Sequence, residues 1–411
     1  MKFLAVLLTA SLAVAAPVLG PLPGVEVIPG QWIVTMKEDA SHESMLSSLH
    51  GLAADLVPKY TYKLGKFNGY SMSATDSLVE SIKGLAGVRA FTRWLYMYTQ
   101  VPIAVANTHH QVASVEPDYK ISINAIQAQD GAPWGLARIS SRVPNTTTYS
   151  YDDSAGEDTY AYIIDTGIFI EHPDFEGRAT WGASFVDGDD SETDGHGHGT
   201  HVAGTTASKS YGVAKKANLI AVKVLDAEGS GSLSQVIAGI QWAVDDATSK
   251  ERIGKAVANL SLGSLALVTS PVNTAAAAAV QAGLFLAVAA GNDNLPASLF
   301  TPASEPTVCT VGALDPNDQR SSFSNYGDVV DVFAPGRNII STWNNGSTGI
   351  ISGTSMATPH ITGLGAYLLA LEGERDPIAL CDRIRELGTP NLIPNALSAT
   401  SNIIAYNGIA A

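Results

Sequence analysis

Residues 353–360 read Gly-Thr-Ser-Met-Ala-Thr-Pro-His, and this stretch decides how the rest of the chain is interpreted. Two upstream fragments complement it: residues 164–167 read Ile-Asp-Thr-Gly, and residues 197–201 read Gly-His-Gly-Thr-His. A serine hydroxyl is a weak nucleophile at neutral pH, so acyl transfer needs a base within hydrogen-bond reach and a group that orients the base. Aspartate, histidine, serine is one of the chain orders in which such triads occur. The predicted triad consists of Asp165, His198 and Ser355.

Local sequence places these groups at the ends of predicted strands and helices. Asp165 follows an apolar strand, and Ser355 opens a predicted helix that continues over residues 356–371. The amide dipoles at the N-terminus of that helix favour negative charge on a substrate oxygen. Asn292 ends another buried strand with a side-chain amide, so we expect it to donate to the oxyanion beside the Ser355 N–H.

Composition and charge limit the class of protein. A chain of 411 residues with 45% apolar and 15% charged residues can bury a large core, so we expect a globular fold. The net charge is −15; residues 1–124 hold nine basic and nine acidic side chains, so all the excess acidity lies in residues 125–411. Such a surface repels phosphate backbones and anionic membranes, which argues against nucleic-acid and membrane partners.

The first 16 residues have the features of a signal peptide. Lys2 precedes an apolar run over residues 3–15 that ends in small residues. The alternative is a short buried helix. A cleaved signal peptide predicts a secreted, extracellular protein.

Residues 17–124 are predicted to form a small α+β unit of their own. Strands are predicted at residues 31–36, 69–74 and 112–117, and a helix at residues 41–52. Residues 88–111 do not fit this unit, because they show no clear periodicity.

The codons of residues 88–89, 106–107 and 111 can spell a 5′ splice site, a branch point and a 3′ splice site. We therefore hypothesise that residues 88–111 are a retained intron in the gene model. The alternative is a genuine loop of the N-terminal unit. Sequencing the cDNA across codons 85–115 decides between them.

From Tyr160 onward, apolar β-branched runs alternate with helical patterns. Strands are predicted at residues 160–164, 219–225, 257–262 and 284–289, and helices at residues 233–248 and 274–281. The Ala-rich segment 272–290 is long enough for a membrane span, but polar residues interrupt it, so we predict a helix, a turn and a buried strand. The alternation predicts a parallel sheet covered by helices on both faces, with ligands at the carboxyl ends of its strands.

The only two cysteines of the chain, Cys309 and Cys381, are widely separated. In a secreted protein a disulfide between them is the favoured interpretation, and a Cys-x-x-Cys metal or redox motif is excluded. Glycosylation sequons begin at Asn145, Asn259 and Asn345, and the middle one lies in a predicted buried strand.

The region from residue 132 to about residue 407 resembles the proteinase K group of the subtilase family. Beyond the triad fragments, the matching segments are residues 133–140, 211–216, 304–313 and 321–327. The resemblance implies a three-layer α/β/α fold with a mostly parallel sheet, in a monomer that hydrolyses peptide bonds through an acyl-enzyme. It also implies that residues 17–124 are a propeptide that inhibits the peptidase domain, residues 125–411, until cleavage near Ala125.

Three histidines compete for the role of base, and the resemblance selects one. The family signature His-Gly-Thr-His begins with the base, which assigns that role to His198. His201, one helical turn away, is then predicted to be a hydrogen-bonded core residue. His196 is predicted to be a flanking loop residue with no required role. A metal pair formed by His196 and His198 is the alternative.

The family pattern also implies a substrate cleft. Two segments resemble edges that pair with an extended substrate backbone, and a third resembles the wall of the pocket for the residue before the cut bond. In order, these are Gly229, Ser230 and Gly231; Ser261, Leu262 and Gly263; and Ala289, Ala290 and Gly291. Main-chain pairing predicts broad specificity, and small side chains in the wall predict a preference for large apolar residues.

The resemblance further implies one structural calcium site and no catalytic cofactor. The site would use the carbonyls of Pro306 and Val308 and the carboxylate of Asp331. Such an oxygen-only set suits Ca²⁺. The alternative is three ordinary turn groups.

Several positions depart from the family pattern, although the pairing of Cys309 with Cys381 fits it. Tyr160 and Arg252 stand where a further disulfide would be, and Val202 replaces a free cysteine beside the base, which predicts weak sensitivity to thiol reagents. Arg142 stands where a second, weaker calcium site would begin, and Leu233 replaces an aromatic residue at the distal rim. We therefore do not carry over that second site or the distal preferences.

The predicted function is that of a secreted serine endopeptidase acting on proteins and peptides. An esterase or lipase of the α/β-hydrolase type would need Gly-x-Ser-x-Gly and the order serine, aspartate, histidine, and the chain has neither. The remaining alternative is a catalytically silent or propeptide-locked binding protein. The intact triad and Asn292 argue against silence.

Overall fold

The computed structural model describes residues 27–37, 40–53, 56–64, 67–84, 112–119, 126–189, 191–266, 270–397 and 399–409. The chain divides into two units, Met1–Ser122 and Ile123–Ala411. The predicted signal peptide at residues 1–16 and the hypothetical intron at residues 88–111 lie outside the described residues.

In its described residues, the first unit consists of an antiparallel sheet and two helices. Its elements are β1 Val27–Met36, α1 His42–Leu52, β2 Pro58–Leu64, β3 Phe67–Ser73, α2 Asp76–Gly84 and β4 Val112–Tyr119, with strand order β2-β3-β1-β4. Ser41 caps α1 by accepting a hydrogen bond from the Ser44 N–H, as its position before an amphipathic run predicts. Buried apolar residues from the sheet and both helices, among them Val34, Met45 and Ile82, form one core. The α+β character predicted for this unit is confirmed. The sequence pattern did not predict β2 and α2.

The second unit is built on a nine-stranded sheet. Its strands and those of three small ribbons are β5 Ile126–Asp130, β6 Thr148–Asp152, β7 Tyr160–Asp165, β8 Ala179–Ser184, β9 Asn218–Lys223, β10 Ala256–Leu260, β11 Ser264–Leu265, β12 Phe285–Ala289, β13 Phe300–Thr301, β14 Cys309–Leu314, β15 Val332–Pro335, β16 Ile339–Thr342, β17 Thr348–Ile351, β18 Thr389–Pro390 and β19 Ile403–Ile404. The large sheet has the order β18-β19-β15-β14-β12-β10-β7-β9-β8, in which only β18 and β19 pair antiparallel. The predicted parallel sheet is therefore confirmed.

The helices of this unit begin where the sequence offers capping groups. They are α3 Trp134–Ile139, α4 His198–Ala207, α5 Leu233–Ser249, α6 Pro271–Gln281, α7 Thr354–Glu372 and α8 Pro377–Leu387, with 3₁₀ turns at Pro173–Phe175 and Ala297–Leu299. Ser232 and Gln235 form a capping box at α5, and Asp376 caps α8. The segment 272–290 forms most of α6, a turn and β12, as predicted. Among the described helices, none is both long and apolar enough to cross a membrane.

Side chains of the large sheet alternate between two cores. Ala161 and Ile163 of β7 face a core shared with α4, α7 and α8, whereas Tyr162 and Ile164 face a core shared with α5 and α6. Because neighbouring side chains of a strand point to opposite faces, both faces of the sheet are covered. The predicted three-layer α/β/α architecture is confirmed.

Strand β7 lies at the point where the order of the sheet reverses. It pairs with β10 on one side and with β9 on the other, and both pairings are parallel. Ligand sites in open α/β sheets lie at the carboxyl ends of strands beside such a reversal. Asp165, the last residue of β7, stands at that place.

Candidate active site

Asp165 is fully buried at the carboxyl end of β7. Its Oδ1 accepts a hydrogen bond from the Thr166 N–H at 2.8 Å and one from Nδ1 of His198 at 2.7 Å. The first bond fixes the carboxylate relative to its own backbone. The second engages one imidazole nitrogen, so Nε2 is the nitrogen that remains free to accept a proton.

His198 is the first residue of α4, and its side chain is 20% exposed. Gly197 precedes it with a φ of 104°, and a Cβ there would lie 2.6 Å from the Trp343 ring, so only glycine fits at this position. Burial lowers the pKa of His198, but the charge and hydrogen bond of Asp165, with a further contribution from Asp194, raise that pKa above its ordinary value of 6.5. The imidazole is thus adapted to receive a proton.

Ser355 is the second residue of α7, and it exchanges two hydrogen bonds with Ser261. Its Oγ donates to the Ser261 carbonyl at 3.0 Å, and Oγ of Ser261 donates to the Ser355 carbonyl at 2.7 Å. That carbonyl is available because Pro359, four residues on, has no N–H to complete the helical bond. Within the described residues, no hydrogen bond joins Oγ of Ser355 to His198.

Asn292 presents its side-chain N–H groups to the cleft because its oxygen is already engaged. Oδ1 accepts from the Thr354 N–H at 2.8 Å and from Thr354 Oγ1 at 3.0 Å. The preceding Gly291 has a φ of 104°, and a Cβ there would lie 2.2 Å from Nδ2 of Asn325. Glycine at this position therefore lets the chain turn out of β12 and place Asn292 beside the start of α7.

One cleft of about 590 Å³ contains most of the predicted site. Among its lining residues are His198, Ser355, Asn292, Gly229, Ser230, Gly231, Ser261, Leu262, Gly263, Ala289 and Gly291. Ala290 is the exception: its side chain is fully buried and packs in a separate core with Ala297 and Phe300. Adjacent residues of an extended segment face opposite ways, so Ala289 and Gly291 can line the pocket only if Ala290 faces away.

The two neighbouring histidines differ in their surroundings. His201 is fully buried, Nε2 bonds to the Ile339 carbonyl at 2.9 Å, and burial lowers its pKa to about 4. The predicted core role of His201 is confirmed. His196 is exposed and lines the cleft, with its ring centroid 6.2 Å from that of His198. Sequence reasoning assigned it no role; its position two residues before the base was the available signal.

Comparisons with known proteins agree with this geometry. The model of the subtilase family, Peptidase_S8, matches residues 156–383. A cuticle-degrading protease of Metarhizium anisopliae is 52% identical over 338 residues, which cover 82% of this chain and 86% of that protein. A subtilisin-like protease of Coccidioides posadasii is 48% identical over 403 residues, 98% of this chain and 97% of that protein. The chain belongs to the subtilase family.

The fold comparison leads to the same family. The crystal structure of a cold adapted subtilisin-like serine proteinase matches with a TM-score of 0.64 and 40% identity, covering 69% of this chain and 100% of that one. This subtilase is a serine endopeptidase whose substrates are proteins. The family match and the proteases among its relatives support this function over a catalytically silent binding protein.

The predicted calcium residues of this subtilase cluster at the amino ends of two adjacent strands. Pro306 and Val308 precede β14, and Asp331 precedes β15, which pairs with β14 in parallel. Oδ2 of Asp331 accepts from the Thr310 N–H at 2.8 Å, and burial raises the pKa of Asp331 to about 6. A carboxylate and backbone carbonyls are oxygen donors of the kind that a hard cation prefers.

The predicted disulfide between Cys309 and Cys381 is present and joins β14 to α8. It lies beside the calcium residues, because a carboxylate oxygen of Asp331 is within 4.8 Å of both sulfur atoms. The disulfide uses both cysteines of the chain, so this subtilase has no free thiol. The position beside His198 at which the family often has a free cysteine is occupied by buried Val202.

Two arginines occupy positions at which the subtilase pattern has other features. The Arg252 guanidinium lies 4.1 Å from the centroid of the Tyr160 ring and bonds Asp246 Oδ2 at 3.0 Å, so a cation–π pair and an ion pair stand in place of the further disulfide. Arg142 donates to the Leu387 carbonyl at 3.2 Å.

Asn259 is fully buried in β10, as its sequence context predicts, whereas Asn145 and Asn345 are exposed. Its Nδ2 donates to Ser261 Oγ at 2.9 Å and its Oδ1 accepts from Thr362 Oγ1 at 2.9 Å. The side chain is therefore part of the packing behind Ser355. A bulky glycan on Asn259 is incompatible with this fold.

Proposed function

We propose that hydrolysis proceeds through Ser355 as nucleophile, His198 as base and Asp165 as the group that orients the base. The observation that supports this most strongly is the 2.7 Å bond from Asp165 to Nδ1 of His198, in a cleft that Ser355 also lines. That bond leaves Nε2 as the proton acceptor. Buried Asp165 then stabilises the imidazolium that forms when the proton arrives.

The reaction begins when the Ser355 hydroxyl leaves the Ser261 carbonyl and turns toward His198. Oγ attacks the substrate carbonyl carbon while Nε2 takes the hydroxyl proton. The tetrahedral intermediate collapses as His198 returns this proton to the amide nitrogen, which leaves with the C-terminal half of the substrate. Water then attacks the acyl-enzyme in the same way, releasing the acid and restoring the Ser355 hydroxyl.

The oxyanion of the intermediate is stabilised by the Asn292 amide and the Ser355 N–H. Asn292 suits this role because its oxygen is bonded to Thr354, which directs the donor end of the amide away from Thr354. Ser355 N–H is one of the unpaired amides at the start of α7, where the helix dipole favours negative charge. Donors that are fixed before the charge develops lower the barrier most.

Broad specificity with a preference for large apolar residues before the cut bond follows from the cleft lining. The edge segments Gly229–Gly231 and Ser261–Gly263 offer backbone groups, which pair with a substrate strand whatever its side chains. Small Ala289 leaves space in the pocket, and the apolar side chains of Val272 and Phe300 line the same cleft.

Matched peptides that differ only in the residue before the cut bond test this preference. Phe and Leu peptides should give values of kcat/KM at least tenfold above Lys and Glu peptides, because even one methylene group in an apolar pocket is worth roughly 10- to 200-fold. The four values are compared on one enzyme preparation. Equal rates for all four residues contradict the proposed pocket.

We further propose one structural Ca²⁺ held by the carbonyls of Pro306 and Val308 and the carboxylate of Asp331. The cation would neutralise a carboxylate that burial makes costly to ionise. It would hold together the amino ends of β14 and β15 beside the disulfide. No catalytic step requires it.

We also propose that the enzyme is made as a secreted zymogen and is active as a monomer. Residues 1–16 would be the signal peptide, residues 17–124 an inhibitory propeptide and residues 125–411 the mature peptidase. The similarity to a subtilisin-like protease of Coccidioides posadasii extends over 98% of this chain, so the N-terminal unit is part of what the two proteins share. N-terminal sequencing of the secreted product tests this; a start far from residue 125 contradicts it.

A further inference from the structure

Asp194 is buried in the loop before α4, with 3% of its surface exposed, and its carboxylate accepts five hydrogen bonds. Oδ1 accepts from Thr166 Oγ1 at 2.8 Å, His196 N at 3.0 Å and Gly197 N at 2.8 Å. Oδ2 accepts from Thr200 N at 2.9 Å and Thr200 Oγ1 at 2.6 Å. An ionised carboxylate only accepts, and every one of these neighbours donates. This is the geometry of a fully satisfied buried charge.

These bonds join the two elements that carry the base and its orienting group. Thr166 follows Asp165 directly at the end of β7, whereas Thr200 lies in the first turn of α4, two residues after His198. Thr166 Oγ1 also accepts from the Gly199 N–H at 2.9 Å, which closes the link between strand end and helix start. Thus the distance between Asp165 and His198 depends on Asp194, although Asp194 lies outside the triad.

The carboxylate also supplies what the N-terminus of α4 lacks. Gly197 at the N-cap has no side chain, so it offers no capping oxygen to the first amides of the helix, and the Asp194 carboxylate accepts from the Thr200 N–H in its place. The positive end of the helix dipole disfavours a protonated imidazole at His198. Negative charge on Asp194 opposes that effect, in keeping with its contribution to the raised pKa of His198.

We propose that Asp194 is a positioning residue for the reaction: it holds the end of β7 and the start of α4 in one arrangement and favours the imidazolium by its charge. The proposal rests on His198 being the base. Asp194 would act through His198 and Asp165 and would not touch the substrate.

The test compares Asp194→Asn with the wild-type enzyme, each normalised by titration of active serine. An amide group must face at least two of the five donors in either orientation, so the arrangement loosens. We expect kcat to fall roughly 10- to 100-fold, as misplacement of catalytic groups does, with KM within about twofold. Loss of the negative charge lowers the pKa of His198, so the acid limb of the pH profile, where kcat/KM rises with pH, should move to lower pH.

Other charged or titratable groups around His198 stay constant in this comparison. They are Asp165 from β7, His196 from the preceding loop, His201 from α4 itself and Lys223 of β9, whose Nζ donates to the Thr166 carbonyl. Asp194→Glu keeps the charge and should therefore keep the acid limb at the wild-type pH even where kcat falls. If Asp194→Asn does not fold, Asp194→Glu still tests the positioning role by its kcat.

Asn344→Ala is the matched control, because Nδ2 of Asn344 donates to the Asp194 carbonyl and not to its carboxylate. It disturbs the same loop, yet it should leave the acid limb unmoved. The proposal is wrong if Asp194→Asn keeps kcat within twofold, or if its acid limb does not move. Activity close to that of the wild-type enzyme in His198→Ala would overturn the proposed base instead, so the two failures are distinguishable.

Discussion

The two halves of the active site differ in how far they are organised before substrate binds. The Asp165–His198 half is closed: the aspartate is fully buried, and a 2.7 Å bond already fixes the imidazole. The Ser355–Asn292 half is open: Thr354 orients the Asn292 amide, but Asn292 is exposed, and the serine hydroxyl is bonded to the Ser261 carbonyl instead of to His198. The fold thus sets the base in advance and leaves the nucleophile for the substrate to engage.

This difference follows from where the two halves lie in the fold. Asp165 and His198 end a central strand and begin a buried helix, so tertiary packing holds both. Ser355 is the second residue of a helix in which Pro359 leaves the Ser355 carbonyl without its usual partner, and Oγ of Ser261 at the substrate-binding edge fills that place. A substrate strand that pairs with this edge lies next to the hydrogen bond between Ser355 Oγ and the Ser261 carbonyl, which must break before Ser355 can attack. Catalytic hydrogen bonds often form only in the substrate complex.

Removing a member of the triad should have the largest effect. We expect Ser355→Ala and His198→Ala each to lower kcat by roughly 10⁶-fold and Asp165→Ala by about 10⁴-fold, following the behaviour of the same triad in subtilisin. The reason is that nucleophile and base act as one unit, whereas an unoriented base retains part of its function. Single-turnover rates on a peptide ester measure this. If His198→Ala lowered kcat much less than Ser355→Ala does, the two residues would not act as one unit.

Removing the oxyanion donor from the open half should have the next largest effect. We expect Asn292→Ala to lower kcat by roughly 10²- to 10³-fold with little change in KM, because the donor acts on charge that develops in the transition state. Asp293→Asn is the matched control, since it alters the next cleft residue without touching the donor. A rise in KM with unchanged kcat would show that Asn292 binds the ground state instead.

The pH profile reports on the closed half alone. His198 must be neutral to act as base, and its pKa is raised above 6.5 mainly by Asp165, so kcat/KM should be low in acid and rise through a pH above 6.5. The rate should then stay high in alkali. A profile that is flat from pH 5 to 9, with chemistry rate-limiting, would count against His198 as base.

Removing calcium should affect stability and leave both halves of the site intact. With calcium at 100 times its dissociation constant, chelation should cost about 2.7 kcal/mol of unfolding free energy, which lowers the melting temperature by about 5 °C. Asp331→Asn should abolish this response while kcat stays within about twofold. A melting temperature that chelator does not change would indicate that Pro306, Val308 and Asp331 are ordinary turn groups.

Contiguous motifs led to the proposed triad, and continuous apolar runs made the sheet predictable from sequence. Asp165, His198 and Ser355 each lie in a short motif at the end of a periodic segment, and β7, β9, β10 and β12 are continuous apolar runs. Strands β8 and β15 escaped because β8 alternates weakly and β15 spans only four residues. Local pattern is thus enough for longer, continuous apolar runs, whereas the fully buried β15 is too short to be recognised from sequence.

Features that depend on tertiary packing could not be predicted. Four of the five donors around Asp194 come from residues 196–200, but the fifth, Thr166 Oγ1, comes from the end of β7, and no local pattern predicts that contact. The resemblance assigned Ala290 to the pocket wall as one of a run of three residues, but only the strand direction shows that it faces the core. The place of His196 in the cleft likewise depends on how its loop turns back toward Gly229.

Covalent labelling tests the central claim most directly. Enzyme purified before and after N-terminal maturation is treated with a fluorophosphonate, and the modified residue is located by peptide mass spectrometry. The proposed mechanism predicts one label per mature molecule, on Ser355, with complete loss of activity and no label in Ser355→Ala or His198→Ala. A label on any other residue, or full activity after Ser355 is labelled, would contradict it.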